Sequence, residues 1–257
     1  MTRPYVIWPL RFSPNAPAMI DFYSRIGLHL TFSHDNGTFA TFRGRAGTLG
    51  VHDARDTTSG KVTGHTALNL ATNDTELAVA ELAASGYDVK IWDETYGKQG
   101  IVMSRDGRVI GINGDSQEDL YGGYQTHDEA AAAPVLDVVA VCITSEMKAE
   151  AVWFEPLGFT APSYDDPHWI GLRAGDRSGV LGIHPGEVES SDPRDADDLF
   201  GPPYLVGIGF ETSEPLAVFA DRLSSAGLDP TMITDGSDPR VVLVDPDGEE
   251  VQIHPAP

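Results

Sequence analysis

The chain repeats itself, and a repeat narrows the available folds more than any single motif does. Asp21-Phe22-Tyr23-Ser24-Arg25-Ile26-Gly27-Leu28 returns as Val152-Trp153-Phe154-Glu155-Pro156-Leu157-Gly158-Phe159, with the glycines 131 residues apart. Thr48-Leu49-Gly50-Val51-His52 returns as Val180-Leu181-Gly182-Ile183-His184, 132 residues on. Ala80–Tyr87 matches Ala220–Leu228, and Arg105-Asp106-Gly107 matches Pro246-Asp247-Gly248, both 141 residues on. The sequence therefore reads as two copies of one domain, over residues 1–115 and 134–257. About ten residues are added to the second copy between His184 and Leu216.

Each half divides again. In the first, a β-rich opening (Tyr5–Phe12) leads into a helix over Ala16–Ile26 that Gly27 stops. Strands follow near Leu28–Ser33, Thr38–Arg43 and Thr48–His52. A second unit runs from His65–Ala71 through a helix near Asn73–Ser85 to strands near Val89–Trp92, Ile101–Ser104 and Val109–Asn113. Leu77, Val79, Ala80, Leu82 and Ala83 give that helix an apolar stripe beside Glu76 and Glu81. Thr66, Leu68 and Leu70 alternate with His65, Ala67 and Asn69, as in a strand with one face on a core. The chain is thus an α+β protein of four βαβββ modules. Ser116–Ala133, with Tyr121-Gly122-Gly123-Tyr124 and Ala130–Ala133, carries no core-facing pattern and reads as an exposed linker.

Charge and cysteine use exclude several functions. The chain holds 17 Lys+Arg against 39 Asp+Glu, a net charge of −22. Nucleic-acid binding and docking on anionic membranes both need clustered cations, so neither is expected. The charge is uneven: residues 1–115 are near neutral, while residues 134–257 hold 6 basic and 23 acidic residues. Cys142 is the only cysteine, so no internal disulfide and no thiolate zinc cluster can form. Its apolar surroundings, Val138–Ile143, suit a small core residue. The start of the chain lacks a signal-peptide layout, and no apolar run approaches the ~20 residues that span a bilayer. A cytoplasmic protein is the expectation. Phosphate-binding and nucleophile-elbow motifs are missing from the sequence.

The paired modules, the helix ending in Phe-Tyr-x-x-x-Gly and the final Asp-Pro-Asp-Gly strand resemble the vicinal oxygen chelate superfamily. That superfamily includes glyoxalase I, extradiol dioxygenases and bleomycin-resistance-type binding proteins. The resemblance covers nearly all the chain except the linker. It implies two domains, each a pair of modules curled into an eight-stranded cup, a half-barrel with ligand or metal inside. Fold does not fix function, so the family's metal positions are carried over singly. In the first half they fall on Trp8, Leu49, His65 and Gly111, of which only His65 can coordinate. In the second they fall on Val139 (or, shifted by two, Asp137), Leu181, Gly207 and Gln252. Neither set makes a good site for a divalent ion. The expectation is no cofactor.

The same positions point to a small-molecule binder. Trp8, inside the first cup, either fills it or forms a stacking wall for an aromatic or cationic ligand. Trp92 and Tyr96, and in the second half Tyr164, Trp169 and Tyr204, extend such walls. His65 is a ligand contact, a wall histidine or, least favoured, a relic metal ligand. His52 and His184 occupy equivalent strand ends. A ring N–H capping a carbonyl explains them better than general-base catalysis. Gln252 is the polar group left in the second cup, and His254 ends the last strand in solvent. The acidic stretch within Pro185–Pro203 (Glu187, Glu189, Asp192, Asp195, Asp197 and Asp198 against Arg194) is a solvated loop, ahead of a lid for a cationic ligand. The expected function is small-molecule binding with eroded metal sites, as in drug sequestration or resistance. The alternative is a lyase, isomerase or dioxygenase, with or without metal, using His65 or His52. Monomer and homodimer both stay open.

Overall fold

The structure, a computed structural model, describes residues 5–56, 64–94, 97–114, 122–127, 133–187, 201–234, 236 and 238–257. The first half opens on β1 (Val6–Ile7) and β2 (Leu10–Ser13), one extended segment broken at Trp8-Pro9. Proline has no N–H to offer a ladder, which accounts for the break. Helix α1 (Ala16–Ile26) starts at Asn15, whose side chain accepts from Ala18 N, and stops at Gly27 with φ 107°. That positive φ favours glycine. Strands β3 (His29–His34), β4 (Phe39–Arg43) and β5 (Thr48–Asp53) follow. The second module has β6 (Thr66–Ala67) and β7 (Asn69–Thr72), again one segment in two pieces, then α2 (Thr75–Ala84), β8 (Val89–Glu94), β9 (Gly97–Met103) and β10 (Val109–Gly114).

The two broken segments pair with each other. Leu10 lies opposite Ala67 and Ile7 opposite Leu70. Across the break, Trp8 N donates to Asn69 O (2.7 Å) and Asn69 N to Trp8 O (3.3 Å). With β11 (Tyr124–Thr126) at its edge, a six-stranded sheet, β11-β3-β4-β5-β2-β6, is joined by this pair to a five-stranded one, β1-β7-β10-β9-β8. The result is a bent surface, open at both ends and not a closed barrel. Its convex side packs on α1 and α2 through residues such as Leu49, Val51, Leu68, Leu70, Ile110 and Ile112, all fully buried. The alternate positions, Trp8, Gly50, His52, Asn69, Gly111 and Asn113, face the concave side, as the two-residue period of strands requires.

The second half forms one sheet of order β13-β14-β12-β15-β18-β17-β16. Its strands are β12 (Leu136–Thr144), β13 (Ile170–Leu172), β14 (Val180–Pro185), β15 (Gly207–Thr212), β16 (Thr231–Ile233), β17 (Arg240–Val244) and β18 (Glu250–Pro255), with α3 (Met147–Phe154) after β12 and α4 (Leu216–Ser225) after β15. It has seven strands where eight are expected. The eighth is reduced to a single bridge between Thr160 and Arg173.

The halves are stitched by exchange. Val138 N donates to Ala46 O (2.9 Å), and Ile7 N donates to Ser178 O (2.8 Å). Each β-hairpin loop thus extends the first strand of the other half. Gly47 and Gly179 permit the crossing: a Cβ on Gly47 would lie 2.8 Å from Val138 Cβ, and one on Gly179 2.6 Å from Ile7 Cγ1. A third strap comes from 201–206. There Leu68 N, freed at the kink, donates to Tyr204 O (2.8 Å), and Val206 N donates to Thr66 O (3.0 Å).

One expectation is corrected. Within the stretch read as an exposed linker, Tyr124–Thr126 form β11, antiparallel to β3 with Tyr124 opposite His34. A three-residue edge strand has too little sequence to show a period. Residues 115–121 and 128–132 lie outside the described residues, as does 188–200, most of the acidic stretch. Among the described residues, no helix is long and apolar enough to cross a membrane.

Candidate functional site

The concave side of the first half holds a cavity of about 150 Å³, lined by Trp8, Leu10, Phe32, Phe39, His52, Asn69, Gln99, Asn113 and Tyr124. Five of the nine lining side chains are rings. Tyr124 stacks on Phe32 (centroids 5.0 Å apart, 13° between planes), and Phe39 meets His52 edge-on at 5.8 Å. Such stacked and edge-to-face contacts hold the rings as a rigid box. Tyr124 reaches it because β11 is strapped along β3 on both sides: Asp35 N donates to Gly123 O (2.7 Å) and His127 N to Thr31 O (2.9 Å).

The polar groups sit on the floor. Trp8 Nε1 lies 2.9 Å from where a Cβ on Gly50 would start, and Asn69 Oδ1 lies 1.9 Å from where one on Gly111 would start. Two bare glycines thus make room for an indole and a carboxamide. Trp8 is 6% exposed, and its Nε1 has no hydrogen-bond partner. His52 Nδ1 is 2.9 Å from Asp53 O. A carbonyl only accepts, so the ring proton sits on Nδ1 and Nε2 is the acceptor. The ring thus caps a carbonyl, as the sequence suggests, while lining the cavity. His184 does the same at Pro185 O (2.8 Å) but is exposed and lines no described cavity.

His65 is corrected. It lines a different cavity, of about 410 Å³, between the halves, together with Arg11, Arg105, Glu150, Tyr204 and Asp245. The residue opposite Trp8 inside the cup is Asn69, four positions on. Leu49 and Leu181 are also corrected: both are fully buried against the helices, and the concave positions beside them are Gly50 and Gly182. Gly111 and Trp8 lie on the concave face as expected. Trp92 sits opposite Gln99 on edge strand β8, outside the cavity lining, and Nε1 donates to Glu94 (2.6 Å). Tyr96 lies outside the described residues.

The second cup is covered at Gly182 by Trp169, while Val141, Gly207 and Glu250 line the 410 Å³ cavity. The Trp169 indole covers Gly182 so closely that a Cβ there would lie 1.9 Å from Cη2. Tyr204, though largely buried, lines the 410 Å³ cavity between the halves, and its hydroxyl donates to Glu150 Oε1 (2.5 Å). Burial pushes its ionisation well above the ordinary phenol value. Gln252 is tied to Glu250 (Nε2 to Oε1, 2.6 Å), and His254 faces Asp238 (3.0 Å) rather than solvent alone. Asp137 carries two arginines, Arg45 (2.6 Å) and Arg173 (3.1 Å). Arg173 also pairs with Glu211, whose carboxyl burial raises above its ordinary value.

A divalent ion needs several strong N or O donors around one point. The first cup offers one imidazole, three carboxamides and an indole that cannot coordinate. In the second cup, Gln252 stands beside Gly209, and Gly209 beside Val139. Among the described residues, no three of His, Cys, Asp and Glu are grouped to hold a metal. Neither donor set suits a divalent ion.

The chain has the fold of the vicinal oxygen chelate proteins. It resembles the crystal structure of the Mn(II)-bound glyoxalase from Novosphingobium aromaticivorans, with a TM-score of 0.57 at 17% identity over 99% of this chain and 83% of that one. It also resembles catechol 2,3-dioxygenase (TM-score 0.59, 11% identity, 98% and 86% covered). A third likeness is homoprotocatechuate 2,3-dioxygenase from Arthrobacter globiformis (TM-score 0.58, 12% identity, 100% and 80% covered). At these identities the likeness is one of fold. No family model and no curated protein matches the sequence.

Proposed function

We propose that the chain binds a small molecule in the first cup by stacking, without a metal ion, and retains it in the manner of a sequestering protein. The ring box around an unpartnered indole N–H carries this reading. Pockets that hold small molecules are mostly apolar with a few placed polar groups, and this one fits that description. The test is titration of the protein with a panel of small aromatic and cationic compounds, followed by tryptophan fluorescence and protein NMR. Saturable binding that weakens about tenfold or more in Trp8→Phe and Tyr124→Ala supports the reading. Flat titrations across the panel overturn it.

A second reading has its own observation. His52 keeps its proton on Nδ1, so Nε2 is available as a base inside the cup. Metal-free proton transfer from a bound compound would use it. Turnover of a bound compound, lost in His52→Gln with binding retained, favours this reading over simple retention. His65 has no part in either, because it lies in the other cavity.

A further inference from the structure

The lining of the first cup is chemically selective. Charged residues make up 22% of the chain, yet none of the nine lining residues is Asp, Glu, Lys or Arg. A charged ligand would shed its hydration there and find no counter-ion among the described lining residues. The cavity's 150 Å³ matches roughly one benzene-sized ring, since a cavity of about that size holds benzene. One polar group of its lining, Trp8 Nε1–H, is buried, donor-only and unpartnered. A buried donor without an acceptor is costly, and an acceptor supplied by the ligand removes that cost.

Resting on the reading of this cup as the binding site, we propose that its ligand is an uncharged single-ring aromatic compound bearing a carbonyl oxygen, and that this oxygen accepts from Trp8 Nε1–H. The ring then lies among Phe32, Phe39 and Tyr124. The carbonyl points to the floor beside Gly50, and Leu10, which lies over that same glycine, gives way to it. The floor carboxamides of Asn69 and Asn113 both donate and accept, so they tolerate a second polar group without demanding one.

Three probes of nearly one shape test this. Acetophenone carries the carbonyl, α-methylstyrene replaces its oxygen with CH₂, and benzoate adds a charge. We expect acetophenone to bind wild-type protein about tenfold or more tightly than either of the others, because a site built for a hydrogen bond rejects the analogue that lacks it. In Trp8→Phe the preference over α-methylstyrene should fall to about one. Equal binding of acetophenone and α-methylstyrene by wild type overturns the donor role of Trp8 while leaving the cup as the site. A preference that persists in Trp8→Phe overturns it likewise, and tight benzoate binding overturns the neutral class. Failure of all three probes alongside a flat aromatic panel overturns the cup itself. The wild-type comparison needs no variant, so a folding defect in Trp8→Phe cannot decide the outcome.

Discussion

At the scale of single residues, the concave faces are shaped by glycines that lie under large side chains. Gly182 is the sharpest case, because Trp169 occupies the space a methyl group would need. Gly182→Ala should drive the indole out of the second cup. The expected signs are red-shifted tryptophan emission and a loss of about 1–3 kcal/mol in chemical unfolding, the usual cost of overpacking. An unchanged spectrum would mean that Trp169 does not lie over Gly182 in solution. Cys142 offers a second check. It is 1% exposed, and burial raises its thiol above the ordinary value. Reactivity follows the thiolate, so native protein should resist a thiol reagent at pH 8 that labels the unfolded chain at once. The apolar run around Cys142 already reads as core in the sequence. The roles of Gly50, Gly111 and Gly182 do not, since a glycine under an indole looks like any other strand glycine.

At the scale of elements, α1 and its stop at Gly27 are legible because capping and apolar spacing are local. The strand opening the second module is legible as a strand but not in its register. The alternation of Leu68 and Leu70 with Asn69 is correct, yet the residue meeting Trp8 is set by pairing with a segment about sixty residues away. A partner so distant leaves no local trace, and His65 is misplaced for that reason. The short strand β11 shows the same limit, since its place depends on the edge of β3. Tyr124 closes one wall of the ring box from that strand. Replacing Tyr124–Thr126 with Gly-Ser-Gly should leave the Tm within a few degrees while weakening the bound aromatic about tenfold. Full-strength binding by that variant would show that β11 takes no part.

At the scale of the whole molecule, the halves are joined by buried charge as well as by exchanged loops. Arg11 of the first half reaches Asp245 (3.2 Å) and Asp247 (3.1 Å) of the second, all three largely out of water. Reciprocally, Arg105 of the first half meets Glu146 on the second (2.6 Å). Removing one partner of a buried pair strands the other charge. Arg11→Met should therefore cost about 3–5 kcal/mol at pH 7, read by urea unfolding. Burial, above the opposing backbone N–H groups and Arg11, already raises the Asp245 carboxyl above its ordinary value. A raised carboxyl favours the folded state most when protonated, and that contribution is lost as pH rises through the folded value. Without Arg11 the carboxyl rises further, so the deficit of Arg11→Met should shrink as pH falls from 7 towards about 4. A deficit independent of pH would place the loss in packing instead.

The uneven charge belongs to this scale too. In the acidic half Arg173 pairs with Asp137 and Glu211, Arg222 with Glu214 and Arg240 with Asp238, all internal. The uncharged cup lies in the near-neutral half, which turns attention away from a cationic ligand on the acidic side. The sequence by itself determined the α+β class, the order of strands and helices, the resemblance to a cup-forming fold and the placing of Trp8 inside the first cup. The class and element order rest on periodicity, caps and composition, which are local; the cup and the place of Trp8 in it are what the family resemblance implies. Only the tertiary structure decided that Asn69 rather than His65 stands opposite Trp8, that Tyr124 completes the ring box and that Trp169 covers Gly182 in the second cup. Those facts depend on register and on contacts between distant segments, where packing in three dimensions chooses among alternatives the local sequence leaves equal.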